Sequence, residues 1–130
     1  MSYQITTSKR EGYLLAELSG ERTPSVVSAA AQELMDVCLK HGHEKLLVDV
    51  RQLRGRLGML DVHQLVTGDF RRYRGRGLRK LAIVDWRESG GRHWFLDLLA
   101  RNRGYNVRMF ADPEAAAAWL TGSGAGEESE

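Results

Sequence analysis

The sequence predicts an α/β fold of order ββαβαβαβα, a mixed, mostly parallel five-stranded sheet with four helices. Two strand-like runs, YQITTS and YLLAELSG, precede the first helical pattern and are separated only by Lys9-Arg10-Glu11-Gly12. Beyond that helix, strand-like and helix-like segments alternate three times, which implies right-handed crossovers joining parallel strands. The runs LLVDV and LAIVDW are apolar without clean alternation, as strands covered on both faces are.

Each element has its own local reason. In the first two strands Tyr3, Ile5 and Thr7 share one face, and Leu14, Ala16 and Leu18 share another, with period 2. Gly12 supplies the positive φ that a tight hairpin turn requires. Thr23 followed by Pro24 reads as an N-cap and first helical residue. Val27, Ala30, Ala31, Leu34 and Cys38 fall on one helical stripe, and Gly42 stands where a helix C-terminus favours glycine. LLVDV leads to a helix-like segment bearing Leu60, Leu65, Val66 and Phe70. KLAIVDW leads to RHWFLDLLARNRG, with Phe95, Leu98 and Leu99 inward and Gly104 as the stop. NVRMF leads to ADPEAAAAWL, where Asp112 is the N-cap, Pro113 opens the first turn and Glu114 complements the helix dipole. Residues 1–121 are expected to form a single domain, and residues 122–130 an acidic, disordered tail with Ala125 its only apolar residue.

Composition narrows the class of function. A chain of 130 residues, 42% apolar and 28% charged, suffices for one globular core. No apolar run approaches the roughly 18 residues of a membrane span. The N-terminal residues carry no apolar core of a signal peptide. A single cysteine, Cys38, cannot form an intrachain disulfide, and a cytoplasmic location is expected. The net charge of +2 hides an uneven distribution, because residues 51–108 carry fourteen Lys/Arg against five Asp/Glu, while residues 109–130 carry five acids and no cation.

The strongest local constellation is Asp85-Trp86-Arg87-Glu88-Ser89-Gly90-Gly91-Arg92-His93-Trp94, at the carboxyl end of the fourth strand. Ligands of parallel sheets gather at that edge. Ser89, Gly90 and Gly91 could present converging N–H groups at a helix terminus, with Arg87 and Arg92 beside them, so this loop is the candidate anion-binding site. It lacks the full Gly-x-Gly-x-x-Gly spacing and a Walker lysine. The plainer reading makes Ser89 an N-cap and the glycines turn formers. Arg71 to Lys80 interleaves five arginines and a lysine with Tyr73, a pattern that suits phosphate contact and base stacking. Its place at a helix end favours simple solvation and dipole pairing, so nucleic acid is the alternative partner, not the first. His41, His43, His63 and His93 have no HExxH spacing and no second cysteine, and neither a metal nor a cofactor is expected. Cys38 lies on an apolar stripe as a small hydrophobe. With no Gly-x-Ser-x-Gly elbow, no catalytic residue is assigned.

LLVDVRQL at the third strand, RKLAIVDW at the fourth and VRMFADPEAAAAWL at the end resemble SpoIIAA-like proteins. Those belong with the STAS (sulphate transporter and anti-sigma factor antagonist) and Sec14-like folds. The resemblance spans roughly residues 3–120 and implies helices layered on a mixed five-stranded sheet. It also implies that Asp49 ends its strand as a structural cap for the following loop, with a ligand or catalytic role as the alternative. Anti-sigma antagonists of this fold carry a phosphorylatable serine just after the third strand. Here the stretch is Gly55-Arg56-Leu57-Gly58-Met59, without a hydroxyl. The expected function is a non-enzymatic regulatory or binding domain, its partner a protein or, from the Sec14 kinship, a small anionic or amphiphilic ligand. A homodimer is left open.

Overall fold

The computed structural model describes residues 3–55, 78–85 and 106–122. In chain order the elements are β1 (Tyr3–Arg10), β2 (Tyr13–Glu21), α1 (Pro24–His41), β3 (Lys45–Arg54), β4 (Lys80–Val84), β5 (Val107–Phe110) and α2 (Pro113–Thr121). The five strands form one sheet in the order β1-β2-β3-β4-β5. β1 pairs antiparallel with β2, whereas β2–β3, β3–β4 and β4–β5 are parallel, so the sheet is mixed as expected. Two of the four expected helices are α1 and α2. The other two, expected after β3 and after β4, lie outside the described residues, as does the tail from residue 123.

Local chemistry sets the helix ends. Thr23 Oγ1 accepts from Val26 N at 3.2 Å, Pro24 occupies the first turn, and Gly42 closes α1 with a left-handed φ of 72°. In α2, Asp112 Oδ1 accepts from Glu114 N at 3.1 Å and Gly122 caps the end. Such caps satisfy N–H and C=O groups that a helix cannot pair internally.

The core lies on both faces of the sheet. Against α1 pack Leu14, Ala16 and Leu18 of β2, Leu46 and Val48 of β3, and Leu81 of β4. Against α2 pack Leu47, Ala82 and Val84. Consecutive buried residues such as Leu46 and Leu47 require cover on both sides, because strand side chains alternate. The buried stripe of α1 is Val26, Ala30, Leu34 and Cys38. The expected stripe is thus corrected by one position: Val26 is buried, while Val27 and Ala31 are only half-buried. The spacing of three and four residues defines a helical face but leaves its centre to the tertiary contact.

Asp49 does not end its strand. β3 continues five residues beyond it, to Arg54. Between Asp49, which faces Glu17, and Gln52, which faces Ser19, β3 carries one residue more than β2. This is a bulge at Val50-Arg51, opposite Leu18, and it frees backbone groups from the ladder.

Candidate functional site at the carboxyl edge of the sheet

The parallel strands β2, β3 and β4 deliver their carboxyl ends to one edge, and the two buried charged side chains among the described residues, Asp49 and Asp85, lie there. Each is held by an arginine. Arg22 follows β2 directly, and its N–H donates to Arg54 O at 2.7 Å. Its side chain then crosses β3. Nη1 reaches Asp85 Oδ2 at 2.8 Å and Nη2 reaches Oδ1 at 3.3 Å, a forked pair with the two side chains only 14% and 4% exposed. Nη2 also donates to Val50 O, in the bulge, at 3.0 Å and to Leu53 O, two residues beyond it, at 3.4 Å. Nε is buried with no hydrogen-bond partner among the described residues. One guanidinium thus ties the ends of three strands, and a planar fork suits that task where a lysine would not.

Asp49 engages its near neighbour. Its Oδ1 accepts from Arg51 N at 3.1 Å and Arg51 Nε at 3.0 Å, and Oδ2 accepts from Arg51 Nη2 at 2.7 Å. The N–H it takes belongs to the bulge inside β3, two residues beyond Asp49. Hydrogen bonding to Asp49 raises the Arg51 pKa; burial opposes the rise, and the charges of Asp49, Glu17 and Asp112 add to it. Both acids stand in ion pairs at this edge, at 2.8 Å for Asp85 and 2.7 Å for Asp49.

The candidate anion loop, Arg87, Ser89, Gly90, Gly91 and Arg92, lies outside the described residues, but the residue that launches it, Asp85, is anchored by Arg22 and by its own N–H to Phe110 O at 2.9 Å. Of the basic segment Arg71–Lys80, residues 71–77 lie outside the described set. Arg79 pairs with Glu44 at 3.4 Å, and Lys80 Nζ donates to Trp119 O at 2.9 Å while lying 5.0 Å from the Trp119 ring centroid. Arg79 stays largely exposed, whereas Lys80 is tied to the end of α2. His41 and His43 have ring centroids 6.3 Å apart, and no group of three metal-binding side chains occurs among the described residues. Cys38 is buried, and burial pushes its thiol up to about 11. No helix among the described residues is long and apolar enough to cross a membrane.

Arg22 is the site residue that sequence patterns miss. It is separated from Asp85 by 63 positions, and no motif spacing links them. The available signal is modest: an arginine between a strand's carboxyl end and an N-cap threonine stands at the edge where buried acids need partners.

No protein-family model and no curated protein sequence matches the chain. Solved structures do. An anti-sigma factor antagonist from Mycobacterium paratuberculosis superposes with a TM-score of 0.60 at 13% identity, over 92% of this chain and 94% of that one. An uncharacterised protein with a SpoIIAA-like fold from Shewanella loihica superposes with a TM-score of 0.56 at 19% identity, over 91% and 93% of the two chains. The parallel sheet with its antiparallel β1, the helices on both faces and these near-complete superpositions identify the chain as having the STAS/SpoIIAA-like fold.

Proposed function

We propose that this protein is a non-enzymatic regulatory domain that binds a protein partner, or a small anionic or amphiphilic ligand, at the carboxyl edge of its sheet. The observation that carries the proposal is the Arg22–Asp85 pair, which fixes the start of the loop containing Arg87, Ser89, Gly90, Gly91 and Arg92. A loop launched from a rigid point loses less entropy when it binds. The likeness to an anti-sigma factor antagonist supports a protein partner, since that protein's name gives it an anti-sigma factor to oppose. The absence of a hydroxyl in Gly55-Arg56-Leu57-Gly58-Met59 supports regulation by occupancy in place of a serine phosphoswitch. Amide NMR titration with inorganic phosphate and with a short-chain phosphatidic acid tests the edge. Shifts centred on residues 85–92 are expected, larger for the lipid if the ligand is amphiphilic. Shifts centred on residues 71–80, or none with either probe, would overturn the assignment of this edge as a ligand site.

A further inference from the structure

The opposite, amino edge of the sheet carries a row of like charges. Arg10 faces Tyr13 in the hairpin, Leu14 faces Leu46, and Lys45 faces Lys80. The row Arg10, Tyr13, Lys45, Lys80 therefore crosses four strands. It lies on the α2 face, because Tyr13 packs there and Leu47 and Ala82, two residues beyond the lysines, belong to the same cluster. Like charges directly opposite one another destabilise a sheet. Lys80 is accounted for by the Trp119 carbonyl and ring. The side chains of Arg10 and Lys45 have no hydrogen bond or ion pair among the described residues. Service to the negative end of the α2 dipole thus explains Lys80 and leaves the other two unexplained.

The chain leaves α2 at this same edge. A Cβ placed on Gly12 would stand 3.2 Å from Thr121 Cγ2, so the hairpin tip touches the last residue of α2. Beyond Gly122 the sequence is SGAGEESE, with three glutamates and no cation. Eight residues extend at most about 26–29 Å. The row across four strands spans only about 15 Å. The reach is sufficient, and the charges are complementary.

We propose that residues 123–130 dock Glu127, Glu128 and Glu130 on the Arg10–Lys45–Lys80 row, as an occupant of the basic end of the sheet built into the chain. Tethering places the glutamates at an effective concentration in the millimolar range. An outside acidic segment must displace them before it reaches the row. The contact is exposed, so it is weak, dynamic and sensitive to salt. It lies at the far end of the strands from the proposed ligand edge, and either proposal can fail without the other.

A nitroxide attached at Ser129→Cys tests the docking, since the buried Cys38 is shielded from the reagent. At about 20 mM salt, well below the screening range, amides of residues 10–13, 44–46 and 79–80 should broaden several-fold more than those of residues 22–23 and 85. The excess should vanish at high salt and in the Glu127→Gln/Glu128→Gln/Glu130→Gln variant, and Lys45→Gln should reduce it. Unchanged core amide shifts would verify that each variant is folded. Broadening that is absent, insensitive to salt or retained in the triple variant would overturn the proposal, as would an excess at residues 22–23 and 85.

Discussion

Replacing Arg22 with methionine removes the cation that joins β2, β3 and β4 while keeping an unbranched apolar stem in its place. The substitution takes from Asp85, a carboxylate only 3% exposed, its forked partner at 2.8 and 3.3 Å. Removing one member of a buried ion pair costs about 3–5 kcal/mol, because the remaining charge is left desolvated. Val50 O and Leu53 O also lose a donor, at about 1 kcal/mol each where water cannot replace it. The Arg22 side chain is 14% exposed, so some water reaches the space and the lower half of the range is the better expectation. For a domain of this size each kcal/mol corresponds to about 4 °C, giving a fall in Tm of roughly 12–16 °C. Urea melts of Arg22→Met, Asp85→Leu and the double variant measure the coupling directly. The double variant should be more stable than Arg22→Met alone, since an apolar pair of similar volume avoids a buried carboxylate that has lost its arginine. A loss below about 1 kcal/mol in Arg22→Met, or strictly additive single losses, would refute the view of this pair as a buried staple.

Two further outcomes are expected. Trp119→Ala should lose about 3 kcal/mol or more in denaturant melts, because the ring is 5% exposed and packs 5.8 Å from Phe110 as the main anchor of α2; a loss under about 1 kcal/mol would contradict that packing. Cys38 should react slowly with a thiol reagent at pH 8 in the native state and fully after unfolding. Its folded pKa of about 11 lies above that of a free thiol, so its stabilising contribution is complete below the free value and is lost as pH rises towards 11, a slope that Cys38→Ala should lack.

The helix ends were legible in the sequence because their interactions span three or four residues: Thr23 to Val26, Asp112 to Glu114, and the glycines at 42 and 122. Strand character in LLVDV and LAIVDW was legible as well, since burial on both faces leaves a continuous apolar run. The end of β3 was not. Asp49 and the arginine beyond it look like punctuation locally, yet pairing with Ser19, Gly20 and Glu21 carries the strand on to Arg54 through a bulge. The buried face of α1 shifted to Val26 for a related reason, as the sheet against which a helix packs selects the centre of its stripe.

What the sequence determined by itself is the order of the described strands and helices and the ends of the two described helices, because propensity, capping and periodicity act over a single turn or pleat. What only the tertiary structure decided is which charges meet. Asp85 finds Arg22 across 63 residues, and Lys45 lies beside Lys80 across 35, because parallel pairing brings distant strand ends to a common edge. Coulomb energy depends on separation in space and on burial, and neither is encoded in spacing along the chain.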